Sequence, residues 1–195
     1  EHRGSGGGNR RLCVIDVCSG KGFFAAVCAL ALQTNNPEHT TAATVRMVDS
    51  NLKMALRHLS AQPLQRITFH PFDVHSKAFG AWLLEMCASA VATGAVPIVV
   101  GLHLCGRLST RLTSLFNALP LTSAAVLVLS PCCLPHDDHT ARDQCRTGGW
   151  DPYAYWCKLV FESLALGAGQ ERGFVIDEHV LSPKRTLIWS IKGPS

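Results

Sequence analysis

Acidic residues stand at or just after the ends of three successive apolar runs: Asp16, Asp49 and Asp73. Such runs predict strands, and the carboxyl ends of parallel strands meet at one edge of a sheet, where ligands bind. A carboxylate that ends the second strand accepts hydrogen bonds from both hydroxyls of a ribose. One such aspartate alone is equally explained by capping of the next helix. Three in succession favour a nucleoside site.

A glycine turn, DVCSGKG, follows the first of these runs. A phosphate-binding P-loop needs a glycine five positions before Gly20 and a Ser or Thr after Lys21, but the chain has Ile15 and Gly22 there. The dinucleotide fingerprint also fits poorly, because Cys18 stands where its first glycine would be. The interpretation that remains is a nucleoside cofactor without a pyrophosphate, which lies on the backbone of the turn.

Strand-like and helix-like segments alternate along the chain, which predicts a doubly wound, mostly parallel sheet of the Rossmann-like α/β class. Helices are expected at 23–32, 52–59, 77–92, 108–119 and 154–166. The last two strands, in RGFVIDEHV and RTLIWSIKG, are separated only by LSPK. Four residues cannot hold a crossover helix, so this seven-stranded sheet should end in an antiparallel hairpin. We expect a flexible Gly-rich lead-in over 1–11 and a single domain over 12–195.

Composition sets the broad class. The chain has 195 residues, 47% of them hydrophobic, and a formal charge of +4, which permits an anionic partner such as RNA without requiring one. No apolar run approaches the length of a membrane span, so we expect no membrane association. The chain has nine cysteines, an odd number that cannot pair completely in disulfides, and several of them lie in apolar runs. This favours reduced thiols in an intracellular compartment, with the cytoplasm ahead of the mitochondrion or nucleus.

Two later motifs fall at the ends of the fourth and fifth strands, GLHLCG with His103 and SPCC with Cys132 and Cys133. Together with DVCSGKG and the terminal hairpin, they make the chain resemble class I S-adenosylmethionine-dependent methyltransferases over residues 12–192. The resemblance is to a subgroup with H-x-C-G and Cys-Cys motifs. That subgroup includes acceptor-stem tRNA 2′-O-methyltransferases and a methyltransferase-like domain joined to a glutathione-transferase-type domain.

The resemblance implies S-adenosylmethionine as cofactor and assigns roles along the strand ends. The methionine end of the cofactor would be lined by Asp16, Cys18, Ser19, Gly20 and Gly22. Asp49 would bind the ribose, and Asp73 with Val74 the adenine. His103 would lie beside the sulfonium. A departure is the long spacing between Gly22 and Asp49, which requires an enlarged loop.

Several side chains admit two interpretations. His103 is either a catalytic base or a packing residue at a strand end. Cys132 and Cys133 are either thiolate nucleophiles that activate a pyrimidine or residues that shape the loop over the pocket, and the second is favoured. A metal set drawn from residues 132–145 only approximates zinc spacing, so no metal is expected. The arginine pairs at 107 and 111 and at 142 and 146, with Arg10 and Arg11, are either phosphate contacts or solvated charges.

The function predicted is methyl transfer from S-adenosylmethionine, with RNA, either tRNA or rRNA, as the acceptor. The alternative is a catalytically silent methyltransferase-like domain that serves as a scaffold in an RNA–protein assembly, with other proteins as partners. An NAD-dependent oxidoreductase ranks last, because it predicts a parallel final strand and a pyrophosphate site.

Overall fold

The computed structural model describes residues 11–34, 43–61, 64–120, 124–167, 169–182 and 184–193. Seven strands form one sheet: β1 Arg11–Val17, β2 Ala43–Asp49, β3 Ile67–Pro71, β4 Ala95–Cys105, β5 Ala125–Cys133, β6 Gln170–Ile176 and β7 Thr186–Lys192. Five α-helices accompany them: α1 Phe23–Thr34, α2 Lys77–Ala92, α3 Arg107–Asn117, α4 His139–Thr147 and α5 Pro152–Ser163. Most of the predicted lead-in and of the loop before β2 lies outside the described residues.

The sheet has the strand order β3-β2-β1-β4-β5-β7-β6. The first five strands pair in parallel, whereas β7 runs antiparallel to both β5 and β6. The predicted Rossmann-like fold and its terminal hairpin are therefore confirmed. The order reverses between β1 and β4, which makes the carboxyl ends of these strands the place where a ligand binds in such sheets.

Alternate residues of each strand face opposite layers of helices. On one face, Ile15 and Val17 of β1 belong to a core that also contains Phe79 of α2, Phe116 of α3 and Val160 of α5. On the other face, the core around Val14 includes Ala25 and Ala29 of α1. Asp16 lies two residues after Val14 in the same strand, so its side chain also points to the face that α1 covers.

The helix predicted at residues 52–59 is wrong. Residues 52 and 53 form a turn, residues 54–56 are irregular, and only Arg57–Ser60 is helical, as a short 3₁₀ turn. The cause lies just before it: the carboxylate of Asp49 accepts from the backbone N–H of Asn51, and the side-chain oxygen of Asn51 accepts from the N–H of Lys53. Such side-chain bonds take backbone donors into consecutive turns and compete with a helix.

One helix was not predicted. Helix α4 lies in the segment after β5 that the sequence analysis treated as a loop. Asp138 caps it by accepting from the N–H of Ala141, and only Ala141 and Cys145 of the helix are buried. The helix contains only these two small apolar residues, one turn apart, and such a short and polar pattern is too weak to predict a helix.

Candidate cofactor and acceptor site

Asp16 is a buried acid with an incomplete set of hydrogen bonds. Its side chain is 2% exposed, and within the described part of the chain its Oδ2 has no hydrogen-bond partner. Burial raises the pKa of Asp16 to about 7, the backbone amide of Ala25 lowers it, and the charge of Asp49 raises it further. An unpaired buried oxygen costs about 1–3 kcal/mol, so the position fits a ligand that brings a positively charged donor.

The turn after β1 leaves open space beside Asp16. Gly20 has a φ of 52°, and a Cβ placed there would meet nothing within 4 Å. Gly22 has a φ of 75°, and a Cβ there would collide with the side chain of Met47. The N–H of Ser19 donates to the carbonyl of Val48 at 3.0 Å, which ties the turn to β2. The turn is thus a fixed, open cradle at the end of β1.

Cys18 occupies the left-handed region with a φ of 57°, which favours glycine. Its half-buried side chain packs against the hydrophobic core. Burial raises the pKa of its thiol to about 12, with further contributions from the charges of Asp49, Asp16, Cys105 and Asp73. The thiol is therefore neutral and a poor nucleophile. These charges also show that the ends of β1, β2, β3 and β4 converge on this turn.

Asp49 links the end of β2 to the glycine turn. Its Oδ2 accepts from the N–H of Gly20 at 3.0 Å, and its Oδ1 accepts from the N–H of Asn51 at 2.9 Å. Each carboxylate oxygen has further acceptor capacity, so two ribose hydroxyls can still bind. No helix follows directly, so the interpretation of Asp49 as a helix cap is wrong.

Asp73 and Val74 form the turn between β3 and α2. Asp73 accepts through Oδ1 from the N–H of His75 at 2.9 Å, while Ser76 caps α2. Val74 is 3% exposed in the core, and its carbonyl accepts from Nε of Arg111 at 3.3 Å. Their role at an adenine stays a prediction.

His103 lies near the end of β4, where the pairing with β5 becomes irregular. Its side chain is exposed, its φ is 57°, and the register shifts on either side of Leu104. Positive φ in a residue other than glycine is strained, and such strain clusters at functional sites. The structure thus places His103 at the edge that carries the other candidates.

Cys132 and Cys133, at the end of β5, lie beside a third thiol. The sulfur atoms of Cys105, Cys132 and Cys133 all lie within 4.8 Å of one another, and Nζ of Lys184 is 3.2 Å from Sγ of Cys132. Burial raises the pKa of Cys132, but hydrogen bonds with Cys105 and Lys184 outweigh it and bring the pKa below its usual range. Burial, together with hydrogen bonds to Cys132 and Cys133, raises the pKa of Cys105 to about 11.

A cleft of about 720 Å³ opens beside these cysteines. Several of its lining residues were not predicted as site residues, because they come together from α4, α5 and the β6–β7 connection. They include Trp150, Tyr153 and Lys184, whereas Arg146, which also lines the cleft, is one of the arginines that the sequence offers as phosphate contacts. The only local signal was an aromatic residue close to an arginine in a polar segment. Trp150 is 53% exposed, so part of its indole is accessible to a ligand.

The polar residues after β5 have separate partners. Asp137 pairs with Arg107 at 3.1 Å, Asp138 caps α4, and Cys145 is buried. His136 shares a hydrogen bond of 3.0 Å with Arg142, which also donates to backbone carbonyls. The structure does not bring these residues together as a metal site.

Comparisons with known proteins agree with the fold. A sequence profile of the family described as "Methyltransferase domain" matches residues 5–136, which is more than half of the chain. No curated protein sequence matches the chain significantly. Among solved structures, the DszA carbon methyltransferase superposes with a TM-score of 0.53 at 14% identity, covering 95% of this chain and 48% of the other.

Two further solved structures match with lower TM-scores. An rRNA methylase from Streptococcus thermophilus has a TM-score of 0.47 at 8% identity, covering 95% of this chain and 89% of that one. LepI in complex with SAM has a TM-score of 0.45 at 13% identity, covering 97% and 45%. The chain thus spans about half the length of DszA and LepI.

Among the described residues, no helix has the length and hydrophobicity needed to cross a membrane. The buried Asp16, whose Oδ2 has no partner among the described residues, and the open turn at Gly20 fit the cofactor that the sequence predicted. The chain belongs to the methyltransferase domain family, and its fold and cofactor are those of an S-adenosylmethionine-dependent class I methyltransferase domain.

Proposed function

We propose that the domain transfers methyl groups to RNA, with tRNA or rRNA as the acceptor. The observation that carries this assignment is the cleft at the carboxyl end of β5. Lys184 and Arg146 supply positive charge in its wall, and Trp150 presents an exposed indole. Proteins recognise unpaired RNA bases by stacking on aromatic rings, and they hold phosphates with lysine and arginine.

The charge of Arg146 is available to a ligand in the cleft. Among the described residues, Arg146 pairs only with Asp143, on the surface, where its side chain is 81% exposed. Exposed ion pairs of this kind contribute about 1 kcal/mol or less, so a phosphate can replace Asp143 at little cost. Arg142, in contrast, is held by the carbonyls of Leu134 and Pro135 and would support the wall of the cleft.

The cofactor would supply an electrophilic methyl group on a sulfonium. We assign its methionine end to Asp16 and the turn of Ser19, Gly20 and Gly22. In this arrangement the carboxylate of Asp16 accepts from the ammonium group, and its unpaired Oδ2 gains a donor. Asp49 accepts from the ribose hydroxyls, and Asp73 with the backbone of Val74 borders the adenine. These groups orient the methyl group, and such positioning supplies most of the rate in a direct displacement.

His103 is the proposed general base. An imidazole nitrogen would take the proton that the acceptor atom loses as it is methylated. Its exposed position at the end of β4 leaves it open to a large acceptor. Cys132 and Cys133 line the cleft and shape the wall against which the acceptor would lie.

The acceptor class is tested by methyl transfer with labelled S-adenosylmethionine, on total RNA and on total protein in parallel. We expect label in the RNA fraction. Arg146→Gln should lower RNA methylation about tenfold, because a phosphate contact is lost. The matched control is Arg66→Gln, an exposed arginine just before β3, at the opposite edge of the sheet, and it should leave the rate unchanged.

Label in protein alone would overturn the RNA assignment. Absence of label in both fractions, from a chain that also gives no heat with the cofactor, would establish the catalytically silent domain instead.

We also propose an intracellular reducing compartment, first the cytoplasm and then the mitochondrion or nucleus. The nine cysteines, all free thiols in the structure, support it. Association with other proteins of a larger assembly stays a prediction.

A further inference from the structure

Three thiols from two neighbouring strands meet at the carboxyl edge of the sheet. The sulfurs of Cys105, Cys132 and Cys133 lie within 4.8 Å of one another. Three sulfurs bound to one tetrahedral zinc ion lie about 3.8 Å apart, with Zn–S bonds of about 2.3 Å. Rotations of the side chains are enough to close this gap, because Cys105 is exposed and the other two are only half-buried.

The local backbone explains how adjacent residues reach the same point. In a regular strand Cys132 and Cys133 would point to opposite faces of the sheet. Here the pairing of β4 with β5 shifts register between Leu102 and Leu104 and again between Leu104 and Cys105. Irregularities of this kind re-aim side chains and are common beside functional sites. Cys105 is left directly opposite Cys133.

The charge around the cluster suits a bound cation. A divalent ion and three thiolates carry one net negative charge together. Nζ of Lys184, 3.2 Å from Sγ of Cys132, would offset that charge. Three protein ligands also leave a fourth position of a tetrahedral ion for water or another ligand, as in catalytic zinc sites.

We propose that Cys105, Cys132 and Cys133 bind one zinc ion, with its fourth position open to the cleft beside β5. Thiolates are soft ligands that select zinc over magnesium or calcium. This replaces the expectation from sequence that the chain holds no metal, and it uses a different set of residues from the segment 132–145 considered there. Coordination would also withhold Cys132 and Cys133 from nucleophilic catalysis. The proposal does not depend on RNA being the acceptor.

The test is a direct measurement of zinc binding by the whole chain. The protein is treated with a chelator under reducing conditions, and Zn²⁺ is then titrated back with a competing chromophoric chelator. We expect one tightly bound zinc ion per chain. Co²⁺ in its place should give the intense thiolate charge-transfer and tetrahedral absorption bands of a cysteine site.

Single variants identify the ligands. Cys105→Ser, Cys132→Ser and Cys133→Ser should each weaken zinc binding by about 100-fold. The matched control is Cys28→Ser, which changes another half-buried thiol, in α1, outside the cluster. It should bind zinc like the parent. Far-UV circular dichroism verifies that each variant is folded, and Cys105→Ser is the least disruptive because this residue is exposed.

Two results would overturn the proposal. One is a folded, fully reduced parent protein that binds no stoichiometric zinc. The other is parental affinity in all three cluster variants. S-adenosylmethionine binding is measured separately on the same samples, so a failed zinc site would leave the cofactor assignment standing, and the reverse also holds.

Discussion

Where β7 ends, Lys192 is 2% exposed, and its Nζ donates to the carbonyls of Asn117 and Leu119 at 2.9 Å each. Where β1 ends, at the opposite edge of the sheet, Asp16 is equally buried, but its Oδ2 has no partner among the described residues. Both charges are taken out of water, which is costly. Within the described residues only the lysine recovers that cost, so Lys192 is structural, whereas Asp16 keeps an acceptor for the proposed ligand.

The residues around Lys192 and around Asp16 differ in the same way. Near Lys192, the side chain of Asn117 donates to the carbonyl of Ser163 and accepts from the N–H of Ala165. Arg172 donates to three carbonyls at the end of α5 and just beyond it. At the other edge stand Cys18 and His103, the only residues other than glycine with positive φ in the described part of the chain. The two strained residues thus lie at the same edge as the unpaired Oδ2 of Asp16, where the ligand would bind.

Replacement of Lys192 should have the largest effect on stability. Lys192→Ala leaves the buried carbonyl of Leu119 and the half-buried carbonyl of Asn117 without this donor, and each buried loss costs about 1–3 kcal/mol. We expect the free energy of unfolding to fall by about 3 kcal/mol in denaturant titrations. Lys158→Ala, which removes an exposed pair with Glu162, should change it by about 0.5 kcal/mol or less. Equal effects of the two variants would contradict the structural role of Lys192.

Asp16→Asn should raise the free energy of unfolding of the ligand-free chain at pH 8, whereas Lys192→Ala lowers it. The folded-state pKa of Asp16 is raised from 3.8 to about 7, so its contribution to stability is fully present below pH 4 and is lost as pH rises through about 7. Asparagine is neutral at every pH. The variant should be more stable than the parent by about 2 kcal/mol at pH 8, with no gain near pH 4. A destabilised variant at pH 8 would mean that Asp16 is already satisfied within the chain.

The raised pKa of Asp16 also predicts how the affinity for the cofactor varies with pH. Below pH 7 the free protein holds a proton on Asp16, which an ammonium group must displace. The affinity for S-adenosylmethionine should therefore fall by up to about tenfold per unit as pH drops from about 7 to 5. Calorimetry in buffers of different ionisation enthalpy should detect the released proton. The affinity of Asp16→Asn should be weak and independent of pH in this range.

A smaller effect is expected at His103. His103→Gly and His103→Ala both remove the imidazole, but only glycine relieves the positive φ. The glycine variant should be more stable than the alanine variant by about 1 kcal/mol, measured by thermal unfolding. Both should reduce methyl transfer equally if His103 is the base. Full activity in both variants would remove His103 from the mechanism.

Much of the scaffold could be predicted from the sequence, because apolar periodicity fixes strands and helices that are buried. The sheet and its hairpin follow from this, and α2 was predicted with its observed bounds, Lys77–Ala92. The failures lie where polar side chains decide the local structure. Asn51 turns the chain where a helix was expected, and α4 is too polar to be recognised.

The candidate site likewise has one part that the sequence predicts and another that only the fold reveals. The turn and the carboxylates at 16 and 49 follow from strand ends, which the sequence marks well. The meeting of Cys105 with Cys132 and Cys133 depends on register shifts between β4 and β5, which no local pattern encodes. The contact of Lys184 with Cys132 joins residues 52 positions apart, and only the folded chain reveals it.

The central claim is that the edge with Asp16, Cys18 and His103 holds the cofactor, and calorimetric titration with S-adenosylmethionine tests it most directly. Asp49→Ala is compared with Asp177→Ala, since both aspartates accept through Oδ1 from the N–H two residues later at 2.9 Å. We predict saturable binding by the parent, about 30-fold weaker binding by Asp49→Ala and parental affinity in Asp177→Ala. A parent protein that gives no heat, or an Asp49→Ala variant that binds as tightly as the parent, would contradict the account.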